Sequence, residues 1–201
     1  MFYLFQKGGP IMWPLFLTSV VSLAVILERL FFMAAAQSRR NPALVESILA
    51  SVEKGQVAQA ISDGEGSRDY VAGTLIYGLK HRDKSLSNAL LKAANQELKR
   101  FNQGLFALDT VITLAPLLGL LATVTGMIHA FGLLGNKELE APSVITGGIA
   151  EALIGTAFGL GIAIIALIPF NFLNSKMEEA RHEIEDACTQ LELILKTGAR
   201  R

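Results

Sequence analysis

The sequence predicts an all-α membrane protein with three transmembrane helices, the second and third extended into the cytoplasm, and a helical cytoplasmic insert between the first two. Three observations lead there. Hydrophobic residues make up 51% of the 201 residues and are gathered into three long blocks. Such clustering is what a bilayer demands, because a spanning helix needs about 20 mostly apolar residues. The polar segments between the blocks repeat their apolar residues at helical spacing, and no alternating strand pattern is present.

The first block, residues 10–36, carries Pro10 and Pro14 in its first turn, where proline is tolerated. Its uncharged part, Pro10 to Leu27, is 18 residues, just long enough to span. Glu28 and Arg29 then fall at the membrane boundary, where Arg29 can snorkel. No small-residue cleavage pattern ends this block, so it is expected to be a retained signal-anchor helix rather than a removed signal peptide.

Residues 37–104 form the insert. Arg39-Arg40-Asn41-Pro42 ends the first helix. Leu44, Ile48, Val52, Val57, Ala60 and Ile61 then repeat at helical spacing, broken once at Gly55. Asp63-Gly64-Glu65-Gly66-Ser67 is a turn cluster, and Tyr70–Lys80 and Leu86–Phe101 read as two further amphipathic helices.

The second span, residues 105–135, has no Lys or Arg, only Asp109 and His129 near its ends. A short polar loop, residues 136–143, leads to the third span, residues 144–173, whose one charge is Glu151. Residues 174–201 follow as an amphipathic helix. Its apolar stripe is Met177, Ala180, Ile184, Ala187, Cys188, Leu191 and Leu195, and its charges read as the wet face.

Cationic residues near the membrane set the topology. Arg39, Arg40, Lys99, Arg100, Lys176 and Arg181 outweigh Lys7, the amino terminus and Lys137. The insert and tail are therefore expected in the cytoplasm, and residues 1–9 and the short loop outside.

Composition also excludes. A net charge of zero gives no electrostatic case for nucleic acid. The single cysteine, Cys188, permits no internal disulfide and no cysteine-based metal motif. There is no phosphate loop, no paired metal ligand set and no nucleophile with an evident base, so neither a cofactor nor an enzyme activity is expected.

Within the spans a few residues carry a message. Gly119 and Gly126 in the second, and Gly155, Gly159 and Ala163 in the third, are small residues of the kind that let membrane helices approach closely. Glu151 is costly at membrane depth, by roughly 2.5 to 3.5 kcal/mol on insertion scales. It reads either as a functional carboxylate facing a bundle interior or water-filled cavity, or as a structural one bonded to a neighbouring helix or reaching the outer interface. Thr123 and Thr156 are able to line a polar path or to bond back to their own helical turn. Thr113, Thr125 and Thr146 compete for the same role. His129, Asp109 and Glu28 read as boundary residues.

Two segments resemble a known family. Ala115-Pro116-Leu117-Leu118-Gly119-Leu120-Leu121-Ala122-Thr123-Val124-Thr125-Gly126-Met127 is similar to the second-span signature of the MotA/TolQ/ExbB family in its ExbB/TolQ branch. Gly148-Ile149-Ala150-Glu151-Ala152-Leu153-Ile154-Gly155-Thr156-Ala157-Phe158-Gly159-Leu160 is similar to its third-span signature. Phe170-Asn171 and Ile26-Leu27-Glu28-Arg29-Leu30 also fit. Two residues depart from the pattern. Ala122 stands where the family usually has Gly, and Ile165 where many members have Pro, with Pro169 four residues later, which would move a helix kink. The absence of a fourth span and of a larger cytoplasmic domain separates the chain from MotA-type stators.

The resemblance implies a homopentamer in the bacterial inner membrane around a central pore, occupied by an ExbD- or TolR-like single-helix partner with a membrane aspartate. It implies that Thr123, Glu151 and Thr156 face the pore and serve proton passage. It also implies work delivered through a TonB- or TolA-like protein. A non-conducting scaffold is the competing expectation.

Overall fold

The computed structural model describes residues 5, 8–134 and 141–198. The charges of Lys7 and Lys137 and most of the short polar loop lie outside these residues. Among the described residues seven helices are assigned: α1 Met12–Ser38, α2 Pro42–Glu53, α3 Val57–Gly64, α4 Tyr70–Lys80, α5 Arg82–Asn102, α6 Leu105–Leu134 and α7 Ala141–Gly198. No strand occurs among the described residues. Three stretches, within α1, α6 and α7, are long and apolar enough to cross a membrane.

Each boundary has a local cause. Asn41 caps α2 by accepting from the Leu44 N–H, and Pro42 at the first helical position needs no partner for its nitrogen. Gly55, at φ +77, supplies the left-handed turn between α2 and α3. Asp69 caps α4 by accepting from Val71 N and Ala72 N. Inside α5 the backbone opens at Ser85 (φ −172, ψ 109), whose hydroxyl accepts from Asn88 N, so the regular helix starts at Leu86 as the sequence predicts. The stretch leading into the second span is helical but is not one helix with it. Gln103 is extended and Gly104 sits at φ +78, which ends α5 and starts α6 afresh. The third span does run on unbroken: α7 holds 58 residues and continues through Pro169.

The chain divides into two compact units. The membrane unit comprises the residues up to Arg29 with Gly104–Phe172. Its centre is Met12, Leu15, Ala115 and Ala163, with Ile154, Phe158 and Ile162 packed against them. Many of its outward side chains are large and apolar, among them Phe16, Leu117, Ile128, Ile164 and Ile168, as befits helices solvated by lipid.

The polar unit comprises Leu30–Gln103 with the residues from Leu173 on. The tail of α7 buries Leu173, Met177, Ala180, Ile184, Ala187 and Leu191, a four-three repeat that forms one seam. The expected stripe is thus present, with Cys188 at its edge. Helix α4 departs from the amphipathic expectation. Tyr70, Val71, Ala72, Thr74, Leu75, Ile76, Gly78 and Leu79 are all buried, so α4 is the central helix of this unit rather than a surface one.

Candidate functional site

Helices α6 and α7 meet along a seam of small residues. Ala115, Gly119, Ala122, Gly126 and Ala130 face Gly159, Gly155, Ala152 and Gly148 in antiparallel order. A Cβ built on Gly159 would stand 2.5 Å from the Ala115 carbonyl oxygen, and one on Gly119 would stand 3.1 Å from Thr156 Cα. A Cβ on Gly126 would reach the Gly148 carbonyl at 3.0 Å. The two backbones therefore touch, as small residues permit in lipid. Ala122 is accommodated because Gly155 lies opposite: a Cβ there would come within 2.3 Å of the Ala122 methyl. Alanine on α6 and glycine on α7 together fill the space of one methyl group.

Among Thr113, Thr123, Thr125 and Thr156 the seam distinguishes one. Thr123 donates to Leu120 O at 2.6 Å, Thr125 to Leu121 O at 2.9 Å, and Thr113 to Thr110 O at 3.0 Å, all within their own helix. The Thr156 hydroxyl instead crosses the seam to Gly119 O at 3.0 Å, sharing its hydrogen with Ala152 O at 3.1 Å. It reaches because Gly119 has no side chain to hold the helices apart.

Glu151 is placed elsewhere. Five residues separate it from Thr156, which on a helix is a rotation of about 140°. Glu151 shares a stripe with Ile154, Phe158 and Ile162, the residues packed against the Met12, Leu15, Ala115 and Ala163 cluster. Thr156 shares one with the exposed Leu153, Leu160 and Ile164. The two therefore flank the α6-facing stripe on opposite sides. The carboxyl group is half-buried against Gly9: a Cβ there would lie 1.8 Å from Glu151 Oε1.

The boundary residues sort themselves by burial. Asp109, His129 and Glu28 are exposed. Arg29 does not snorkel outward. It is buried at 5% exposure and paired with Glu28, and its aliphatic carbons lie beneath Gly104, whose added Cβ would meet Arg29 Cδ at 3.2 Å. The missing side chain of Gly104 thus serves both the turn between helices and the packing of Arg29.

The polar unit holds a second cluster, which reading the residues did not find. Asp69 has a fully buried side chain. Its Oδ2 accepts from Arg40 Nη1 at 2.6 Å and from the Asn41 backbone N–H at 2.5 Å, while Oδ1 accepts from Val71 N and Ala72 N. Arg40 also donates through Nε to Glu183 Oε2 at 2.7 Å, and the Tyr70 hydroxyl donates to the same oxygen at 2.5 Å. Four charged or polar groups from the end of α1, the start of α4 and the tail of α7 are tied together. Burial alone would lower the Arg40 pKa, but its bonds to Glu183 and Asp69 outweigh that and raise it. Burial, then the bond to Glu183, pushes the Tyr70 phenol well above its ordinary value. Glu183 is therefore not part of a wet face. The one readable signal was Asp69 as a helix cap before an apolar run. The Arg40–Glu183 pair spans 143 residues and leaves no local trace.

Cys188 lies at the edge of the tail seam. Burial, with help from Glu192 and Glu185, pushes its thiol up to about 11. Maleimide labelling of the folded protein is expected to be very slow near neutral pH and to accelerate with each unit of rising pH, because the thiolate is the reacting form. Rapid labelling at pH 7 in the native protein would contradict this placement.

Three apolar spans among the described residues, two of them in backbone contact and joined by one hydroxyl, define a multi-pass membrane protein. The chain belongs to the MotA/TolQ/ExbB proton channel family, whose sequence model matches residues 68–186. That range contains Asp69, both span motifs and Glu183. The chain is 34% identical over 200 residues to an ExbB-like biopolymer transport protein of Synechocystis sp., covering 96% of this chain and 78% of that protein. It is 29% identical over 197 residues to the biopolymer transport protein exbB1 of Vibrio cholerae, covering 95% and 86%. It is 32% identical over 116 residues to the Tol-Pal system protein TolQ of Haemophilus influenzae, covering 58% and 51%.

Proposed function

We propose that the chain is the proton-channel subunit of an inner-membrane motor, working with an ExbD- or TolR-like single-helix partner. Five copies form a ring, with the insert and tail in the cytoplasm and the N-terminus outside. A proton from the outer side neutralises the partner's aspartate beside Thr123 and Thr156. Neutralisation removes the cost of a buried charge and frees the partner helix to move. The proton then leaves to the cytoplasm, and each charge that crosses supplies about 2.3 kcal/mol per 100 mV. The motion does work in the periplasm or at the outer membrane through a TonB- or TolA-like protein. Glu151, on the other flank of the seam, serves as the outer-side carboxylate of the same path.

The observation that carries this reading is the Thr156 hydroxyl held in the seam by Gly119 O, in a chain of a proton channel family. The test is proton flux in liposomes holding the chain with its partner. Thr156→Val and Glu151→Ala should abolish flux while the complex still copurifies, and Thr156→Ser should keep it. An intact wild-type complex that passes no protons under a membrane potential would leave the scaffold reading in its place, and variants that conduct normally would take Thr156 and Glu151 out of the path.

A further inference from the structure

We infer that Gly9 is a positioning residue for Glu151: its missing side chain is what allows the carboxyl group to lie beneath the Gly8–Gly9–Pro10 turn, covered on the α1 flank. The inference rests on the reading of Glu151 as part of the proton path, and adds what holds that carboxyl in place.

Two adjacent glycines bring the backbone against α7. At Gly9 an added Cβ would lie 1.8 Å from Glu151 Oε1 and 2.7 Å from its Cδ, so the carboxyl group already occupies the place of a side chain. At Gly8, which is buried, an added Cβ would lie 2.5 Å from Met12 Sδ and 3.2 Å from Ile154 Cγ2, one turn beyond Glu151. Gly9 also adopts φ +71, a conformation that suits glycine. The turn is tied to the helix that follows it. Met12 N donates to Gly9 O at 3.2 Å, and Trp13 N donates to Pro10 O at 3.2 Å. Met12 and Leu15, each 1% exposed, fix the start of α1 in the centre of the membrane unit. A well-anchored helix thus presents a bare backbone to one carboxyl group.

The consequence concerns access. A carboxyl group covered by backbone on one flank does not exchange freely with solution on that flank. Any side chain at position 9 must displace the carboxyl, and displacement exposes it.

The first test labels the full chain in liposomes with a water-soluble carbodiimide and an amine, and reads modification of Glu151 by peptide mass spectrometry. Gly9→Ala should raise the rate at Glu151 several-fold and leave the exposed Asp109 unchanged. Gly73→Ala, where an added Cβ meets nothing within 4 Å, should change neither. Equal rates at Glu151 in Gly9→Ala and the parent chain overturn the inference.

The second test needs no labelling and tolerates a damaged variant. Gly9→Ala is compared in the parent chain and in Glu151→Ala by thermal denaturation. Left-handed strain is common to both backgrounds and cancels in the cycle. The drop in Tm should be larger when Glu151 is present, or folding should return when it is removed. Equal drops in both backgrounds sink the idea. Neither readout involves conduction, so a chain that fails to pass protons removes the role of Glu151 in the path but not the placement of its carboxyl by Gly9. A conducting chain with unchanged labelling removes the inference alone.

Discussion

Asp69→Ala is expected to destabilise the polar unit by about 3–5 kcal/mol, the usual loss when one partner of a buried ion pair is removed. Arg40 would be left with an 11% exposed side chain and only Glu183, itself 34% exposed, to pair with. The same substitution also strips the cap from α4, which alone typically costs about 1 kcal/mol. The cost should not add to that of Arg40→Gln, because both variants break one network. Asp69→Asn should fall between, since it keeps an acceptor for Val71 N and Ala72 N but loses the charge. Denaturant unfolding of the detergent-solubilised protein, followed by circular dichroism, reads all of these. A loss under 1 kcal/mol for Asp69→Ala would mean that water relieves the unpaired Arg40, and that the cluster is not a closed clasp.

Gly159→Leu is expected to separate α6 from α7. The first added carbon already meets the Ala115 carbonyl at 2.5 Å and Gly119 Cα at 3.0 Å. Both are backbone atoms in regular helix and cannot swing aside. Gly159→Ala should cost about 1–3 kcal/mol, the range for overpacking a tight site, and leucine more. Gly161→Ala is the matched comparison, two residues along the same helix with nothing within 4 Å of an added Cβ. There the substitution should stabilise by about 0.5–1 kcal/mol through helix propensity alone. Opposite signs at neighbouring glycines, read as Tm in one detergent, test the seam. Two small effects of like sign would mean that the helices are not in contact at Gly159.

The sequence reveals local features well. Helix α4 is bounded at Tyr70 and Lys80 as spacing predicts, and Gly55 breaks the preceding pattern where it should. Gly155 and Gly159 lie against Ala122, Ala115 and Gly119 of α6. What is not legible depends on distant partners. Arg40 reads as a topology-setting cation and Glu183 as a solvated charge, because the exposed His182, Glu185 and Asp186 around it set the impression of a wet face. Only the packing of α7 against the end of α1 and the start of α4 makes them partners. The burial of α4 on nearly all sides is hidden for the same reason, since one helix cannot show how many others surround it. The site lies between these cases. Thr156 could not be told from the other threonines of the spans by spacing, and its bond to Gly119 distinguishes it from Thr113, Thr123 and Thr125. The separation of Thr156 from Glu151 was in the sequence all along, as a five-residue offset that no helix turns onto one face.

The two threonine hydroxyls have a further property. Each has one hydrogen, and in each that hydrogen is directed to a carbonyl of the protein itself, Leu120 for Thr123 and Gly119 with Ala152 for Thr156. What remains for any visiting group is the oxygen's lone pairs. Such an oxygen welcomes the O–H of a neutral acid and has nothing to offer a carboxylate. A carboxyl group meeting such an oxygen finds a partner only while protonated, and its ionised form meets no hydrogen there. The seam would thus discriminate by protonation state without containing a titrating group of its own.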